Sequence, residues 1–261
     1  MRRMLVVATC PRDGADYLND TLNALDETGA DLFDRKVVVS DGLSPEALRW
    51  ESIMYGGPSG SRKAFWNILK VVKDSSPDSF VYIEDDVRPC ANAMVRINGF
   101  KVPENLAFVS FHDMSLMKND APRGLYEVPL RYNGVRKDFC GSQCILFPRR
   151  SWEYLLTRDP FEMADERFWS PMSSIDCVLG YLLDQSSWRS YGCHVPSLVN
   201  HIGRVSIAHP GDEKRDRANT INFAGLDFDA LSTCNFGNAR LDYRKWCLSP
   251  RPVDKIDMVK R

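Results

Sequence analysis

Residues 80–89 of the chain read Phe-Val-Tyr-Ile-Glu-Asp-Asp-Val-Arg-Pro. Four residues that favour a buried strand are followed at once by three carboxylates, and Pro89 then prevents the strand from continuing as a regular ladder. The carboxylates are those of Glu84, Asp85 and Asp86. Three adjacent negative charges repel one another, so a divalent cation with oxygen ligands, Mg²⁺ or Mn²⁺, would stabilise this strand end, shared with a phosphate-bearing ligand. A solvated acidic turn that caps the next helix is the alternative.

Length and charge restrict the class of protein. The 261 residues are enough for one large α/β domain or two small ones. Lys and Arg number 34 against 35 Asp and Glu, so the net charge of −1 does not favour a nucleic-acid partner, although it leaves room for a local basic patch. The eight cysteines include no Cys-x-x-Cys pair, which favours buried free thiols over a disulfide framework or a zinc site.

No segment has the pattern of a membrane or export signal. Residues 1–11 have a basic start, but their apolar run is shorter than the 7–15 residues or so of a signal peptide. No apolar stretch approaches the length that crosses a bilayer. The sequence therefore predicts a cytosolic protein with no membrane partner.

The first half of the chain alternates strand and helix patterns. The apolar run at 5–9 is followed by a helical pattern at 17–25 and by a second strand that ends at Asp41-Gly42. This βαβ order predicts a parallel sheet with ligand-binding loops at the carboxyl ends of its strands. At such an end Asp41 is either a turn former or a hydrogen-bond acceptor for a base or ribose.

A glycine-rich loop at 56–61 leads into an amphipathic helix at 62–72. Arg62 and Lys63 stand at the start of this helix, where backbone N–H groups also favour a phosphate. The Gly-Lys-[Ser/Thr] order of a Walker A loop is missing, and an ordinary surface loop is the alternative.

The second half predicts strands at 107–112 and 139–148, an excursion from the sheet over 113–138, and a helix at 173–183. Asp176 lies in the first turn of that helix. It either stabilises the helix dipole or accepts a proton from a hydroxyl. Residues 191–203 predict an edge strand that runs into a loop and carries His194 and His201. His201 is a candidate metal ligand, because a neutral imidazole binds Mn²⁺ well. The alternative is that His201 is a polar surface residue.

The ordered set of these motifs resembles the GT-A glycosyltransferases, which use nucleotide sugars. The set comprises Thr9-Cys-Pro11, Ser40-Asp-Gly42, the Arg62-Lys63 helix, Tyr82-Ile-Glu-Asp-Asp-Val87, the Asp176 helix and His201-Ile-Gly203. Glu-Asp-Asp resembles the variant Asp-x-Asp motif of N-acetylglucosaminyltransferases that build branched N-glycans. The stretch 195–203 resembles small bacterial and phage members, and the likeness covers roughly residues 4–206.

The resemblance implies a Rossmann-like α/β fold: a mostly parallel sheet flanked by helices, with a smaller acceptor-side subregion. It implies a single domain over 1–261. Residues 1–112 would be the nucleotide-sugar-binding half, 113–206 the acceptor and catalytic half, and 207–261 a flap and tail.

The resemblance also assigns roles to residues. Seven residues would bind the nucleotide sugar: Thr9, Pro11, Asp41, Arg62, Lys63, Glu84 and Asp85. Asp86 would bind Mn²⁺ (or Mg²⁺) directly, and His201 the metal or the diphosphate. Asp176 would be the catalytic base, with Asp165 and Glu166 as competing candidates.

The implied reaction is transfer of a hexosyl or N-acetylhexosaminyl group from a UDP-sugar to a hydroxyl, with inversion at the anomeric carbon. The acceptor would be a glycan, a protein or a hydroxymethylated DNA base, in the cytoplasm of a bacterium or a phage-infected cell. A nucleotidyltransferase and a non-catalytic nucleotide-sugar-binding protein are the alternatives.

Overall fold

The computed structural model describes residues 1–11, 17–42, 49–56, 60–112, 120–130, 139, 141–158, 175–203, 220 and 222–233, without the side chains of 61, 62, 177 and 184. The strands are β1 (Arg3–Thr9), β2 (Arg35–Asp41), β3 (Glu51–Tyr55), β4 (Ser79–Glu84), β5 (Val87–Pro89), β6 (Val109–Ser110), β7 (Gly124–Pro129), β8 (Cys144–Pro148), β9 (Ser190–Val195) and β10 (Val199–His201). The α-helices are α1 (Leu18–Glu27), α2 (Ser61–Ser75), α3 (Ala93–Gly99), α4 (Arg149–Leu156) and α5 (Ile175–Asp184), and two 3₁₀ helices span Ala30–Leu32 and Ala230–Thr233.

Eight strands form one central sheet in the order β3-β2-β1-β4-β8-β6-β9-β7. β1 pairs in parallel with β2 and with β4, β2 does so with β3, and β6 does so with β9. The antiparallel pairings of this sheet all involve β7 or β8. The predicted mostly parallel α/β sheet is therefore confirmed. β5 and β10 form a separate antiparallel pair.

Helices cover both faces of the sheet. Leu5 and Val7 of β1 belong to the core cluster that includes the apolar residues of α1 and α3. Met4 and Val6 point to the other cluster, which includes those of α2, α4 and α5. A strand buried on both faces must be apolar at successive positions, which explains the continuous apolar runs 4–8 within β1 and 80–83 within β4.

The structure corrects two of the predicted elements. β7 lies within the predicted excursion 113–138 and pairs with β9, so β9 has neighbours on both sides and is not an edge strand. Buried and half-buried residues alternate along β7, a period-two pattern that polar flanking residues obscured in the sequence. The strand β3 was also not predicted.

The described cysteines fit one further expectation. Cys90 and Cys144 are free, buried thiols, as predicted. Within the described part of the chain, no helix has both the length and the apolar character needed to cross a bilayer.

His194 on β9 is a buried titratable group in the core. It is 1% exposed, packs against the rings of Phe100 and Phe111, and donates its Nδ1 proton to the Pro196 carbonyl oxygen at 2.8 Å. Burial first, and then the nearby positive charge of Arg96, lower the pKa of His194 from 6.5 to about 4. The folded protein therefore requires the neutral ring, and the unfolded chain binds a proton more readily.

We expect His194→Asn to flatten the acid sensitivity of folding. Stability from the neutral ring is complete above pH 6.5 and is lost as the pH falls towards 4. Between pH 7 and pH 5 the free energy of unfolding should fall by about 2 kcal/mol more in the wild type than in the variant. Urea unfolding of both proteins at the two pH values measures this difference, and equal pH dependence would contradict it.

Candidate active site

Three neighbouring parallel strands end at the same edge of the sheet. Thr9 at the end of β1 lies opposite Ser40 of β2, and Ala8 lies opposite Glu84 at the end of β4. Asp41 ends β2 at this edge. The structure thus brings these sequence-predicted residues to one edge, as expected for parallel strands.

The acidic turn after β4 is held by two threonines. The hydroxyl of Thr9 donates to Asp85 Oδ2 at 2.5 Å. The buried Thr21 hydroxyl on α1 shares its proton between the carbonyl oxygens of Asp85 (2.7 Å) and Val87 (2.9 Å). These hydrogen bonds fix the backbone of the turn and direct the Asp85 side chain towards β1.

Asp86 and His201 are in direct contact although 115 residues separate them in sequence: Asp86 Oδ2 lies 3.1 Å from His201 Nε2. The β5–β10 pair places His201 opposite Val87, and the Ile202 N–H donates to the Asp86 carbonyl oxygen at 2.8 Å. A Cβ on Gly203 would lie 2.2 Å from Asp86 Oδ2 and 3.0 Å from His201 Nε2. Only glycine leaves room for this pair of side chains.

Glu84 is only partly exposed and lies among other negative charges. Ser142 donates to its Oε1 at 2.8 Å, and Gln143 donates to its Oε2 at 3.3 Å. Desolvation, then the negative charge of Asp86 and, more weakly, that of Asp176, raise the pKa of the Glu84 carboxyl to about 7. A cation at this strand end would relieve the same repulsion.

Asp176 lies in the first turn of α5 and is 7% exposed. The Gly141 N–H donates to Asp176 Oδ2 at 3.4 Å. Since residues 142 and 143 of the same loop bind Glu84, this loop lies between Asp176 and the acidic turn. The competing candidates Asp165 and Glu166 lie outside the described residues.

The remaining predicted donor-binding residues border this edge. Asp41 is buried and accepts a hydrogen bond from the Gly60 N–H at 2.9 Å, which anchors the start of α2. Pro11 is exposed, and its ring would lie 3.1 Å from a Cβ on Gly42, next to Asp41. Lys63 is exposed in the first turn of α2, whereas the side chain of Arg62 is outside the described part of the structure.

The candidate ligand atoms of Asp86 and His201 fit a metal ion whose coordination is completed by a bound substrate. Among the described residues, no group of three or more His, Cys, Asp or Glu side chains could hold a metal ion by itself. Asp86 and His201 offer one carboxylate and one imidazole, a set that suits Mn²⁺. Ions of this kind commonly take their other ligands from substrate phosphates and water. The pair therefore fits a metal that binds together with a phosphate-bearing donor.

Sequence reasoning did not find the residues that support these side chains. They are Thr21, His112, Ser142, Gln143 and Thr220. Each acts through a hydrogen bond to a residue far away in the chain, and such pairs have no periodic signal. In the sequence, the sign of such a supporting role was a hydroxyl, amide or imidazole group within or next to a mostly apolar stretch.

Comparison with known proteins gives a likeness in structure alone. No protein-family model matches the sequence, and no curated protein sequence matches it. GalNAc-T7, solved with UDP, GalNAc and Mn²⁺, aligns with a TM-score of 0.49 at 11% identity, over 80% of this chain and 44% of that chain. The chain therefore spans less than half the length of GalNAc-T7.

Two further solved structures align with a TM-score of 0.46. The galactosyltransferase LgtC, in complex with donor and acceptor sugar analogues, is 15% identical over 85% of this chain and 87% of that chain. A CMP:2-keto-3-deoxy-manno-octonic acid synthetase complexed with CTP is 9% identical over 84% and 98%. The aligned structures thus include two glycosyltransferases and one synthetase. Similarity at this level transfers neither an activity nor a residue's role.

We expect Gly203→Ala to separate Asp86 from His201, because the new methyl group would overlap the Asp86 carboxylate. Mn²⁺ affinity, measured in the presence of UDP, should fall at least about tenfold, as it does when the surroundings of metal ligands are disturbed. Gly99→Ala is the matched control, since a Cβ there meets no atom within 4 Å. Unchanged affinity in Gly203→Ala would show that this pair does not bind the ion.

Proposed function

We propose that this protein is a metal-dependent, inverting glycosyltransferase that moves a sugar from a UDP-sugar to a hydroxyl acceptor. The observation that carries the proposal is the contact of Asp86 with His201 at the edge where β2, β1 and β4 end. The β5–β10 pair holds the Asp86 carboxylate and the His201 imidazole together, and Gly203 leaves the space for them. We infer that these two side chains form a site for a metal ion and the diphosphate.

The donor would lie across the strand ends. Thr9, Pro11 and Asp41 border the position proposed for the base and ribose, and Lys63, with Arg62, would approach the phosphates from the start of α2. The helix start itself adds backbone N–H groups that attract an anion. Glu84 and Asp85 would bind water or the ribose and sugar of the donor.

Asp86 and His201 would hold Mn²⁺ (or Mg²⁺), which supplies Lewis-acid stabilisation of the charge that develops on the leaving nucleoside diphosphate. Asp176 would accept the proton of the acceptor hydroxyl. The acceptor oxygen then forms its bond to the anomeric carbon while the bond to the diphosphate oxygen breaks. The Gly141 N–H fixes the orientation of the Asp176 carboxylate. A single base and a single displacement invert the anomeric carbon.

The proposed partners are a nucleotide sugar and a hydroxyl acceptor: a glycan, a protein or a hydroxymethylated DNA base. The net charge of −1 does not favour DNA among these acceptors. The acceptor would bind to the half formed by residues 113–206, where Asp176 lies, and the proposed location is the cytoplasm.

The first test is release of UDP from a panel of UDP-sugars, with and without Mn²⁺. We expect Mn²⁺-dependent hydrolysis of one donor, and a loss of at least about 100-fold in Asp86→Ala, because Lewis-acid stabilisation is worth several kcal/mol. Glu104→Ala is the control, since that carboxylate is exposed and pairs with Arg150 at 3.6 Å. Release of pyrophosphate would instead identify a nucleotidyltransferase, and the absence of donor binding would refute the proposal.

Asp176→Asn should separate chemistry from binding. Removal of a general base should lower kcat by about 10²–10⁴-fold, whereas the Kd for the UDP-sugar should stay within about twofold of the wild-type value. Single-turnover kinetics and calorimetry measure the two quantities. Wild-type turnover in this variant would assign the base to another residue or show that the protein only binds nucleotide sugars.

The configuration of the product tests the same single-base chemistry independently. NMR of the product formed by the wild-type protein should show the anomeric configuration opposite to that of the donor. A retained configuration would overturn the single displacement and the role of Asp176 as its base.

A further inference from the structure

His112 is a buried histidine beside the metal-binding pair. It follows β6, is 1% exposed, and its ring centroid lies 6.3 Å from that of His201. Burial above all, with a further contribution from His201, lowers the pKa of His112 to about 3. The ring is thus enclosed next to the candidate metal ligand, where its Nε2 lies within hydrogen-bond distance of Thr220 Oγ1.

Thr220 connects the two histidines. Its Oγ1 lies 3.0 Å from His112 Nε2 and accepts a hydrogen bond from the His201 backbone N–H at 2.8 Å. Its own N–H donates to Asn200 Oδ1 at 3.4 Å. The hydroxyl thus fixes the backbone from which the candidate metal ligand projects.

The other side of His112 touches the loop that presents Asp176. Gly141 has a φ of +117°, and a Cβ there would lie 2.8 Å from the His112 carbonyl oxygen. The Ser110 hydroxyl shares its proton between the carbonyl oxygens of His112 (2.8 Å) and Gly141 (3.2 Å). The Gly141 N–H in turn donates to Asp176 Oδ2. His112 is therefore in contact with both ends of the site.

Thr220 is supported by a segment that is anchored far from the site. After it, the 3₁₀ helix Ala230–Thr233 packs against α3, and the Ala230 N–H donates to the carbonyl oxygen of Ala91, just before α3, at 3.0 Å. The buried Arg96 guanidinium donates to Thr233 Oγ1 at 2.9 Å. Nearer to Thr220, the Ser197 N–H donates to the Asn222 carbonyl oxygen at 3.0 Å. These hydrogen bonds hold the segment 222–233 at both of its ends.

We propose that His112 and Thr220 are positioning residues that hold His201 and the Gly141 loop in one arrangement, and so fix the metal-binding end of the site relative to Asp176. This inference rests on the proposed function. Partners that orient metal ligands commonly contribute 10–100-fold to metal affinity. Neither residue touches the reacting atoms, so both would act through His201 and Asp176.

The test compares Mn²⁺ binding, in the presence of UDP, in the wild type, Thr220→Ser, Thr220→Val and the control His194→Asn. Electron paramagnetic resonance of free Mn²⁺ gives the Kd, and thermal unfolding without metal gives the Tm. We expect Thr220→Val, which keeps the shape but loses the hydroxyl, to bind Mn²⁺ about tenfold more weakly. Thr220→Ser keeps the hydroxyl and should stay within about twofold of the wild type.

His194→Asn separates positioning from general destabilisation, because His194 is equally buried but hydrogen-bonds to Pro196 instead of the site. If Thr220→Val binds Mn²⁺ as tightly as the wild type, or if His194→Asn weakens binding to the same extent, the positioning role is overturned and the proposed function stands. If Thr220→Val does not fold, His112→Gln replaces it, with about tenfold weaker binding expected and wild-type binding overturning the inference. If the wild type itself binds no Mn²⁺ with UDP, both proposals fail.

Discussion

The repulsion among three consecutive carboxylates at the end of a buried strand is the constraint on which the rest of the site depends. The structure holds each acid differently. Asp85 turns towards the Thr9 hydroxyl, Glu84 is held by two side chains of the loop before β8, and Asp86 contacts His201. A carboxylate that lacks such a donor would be costly in this poorly hydrated position, so the turn requires contributions from β1, the loop and β10.

Distant parts of the chain can contribute to this turn because two glycines allow the backbone to approach other residues closely. Gly203 lies directly against the Asp86 carboxylate, and Gly141 lies against the His112 carbonyl oxygen in a conformation that other residues rarely adopt. A side chain at either position would push a functional group away. The late His-Ile-Gly motif therefore combines a metal-ligand candidate with the space which that ligand needs.

Much of the fold followed from the sequence, since apolar runs and helical periodicity are local signals. Parallel pairing then placed Thr9, Asp41 and the acidic turn at one edge, which is why this part of the site was predictable. The strand β7 and the interior position of β9 were missed, because polar flanks concealed a short alternating pattern. The roles of Thr21 and Thr220 could not be predicted, because each depends on hydrogen bonds across long separations in sequence.

The two ends of the site are joined by small contacts and not by one secondary-structure element. Asp176 stands at the start of α5, whereas His201 ends β10. Between them lie the Gly141 loop, His112 and Thr220, each joined to the next by a hydrogen bond or a close backbone contact. The proposed sugar transfer would require a base and a diphosphate site at a fixed separation, because misplacement by about 1 Å can cost 10²-fold in rate. His112 contacts both sides of this connection, since its carbonyl oxygen lies against Gly141 and its Nε2 lies 3.0 Å from Thr220 Oγ1.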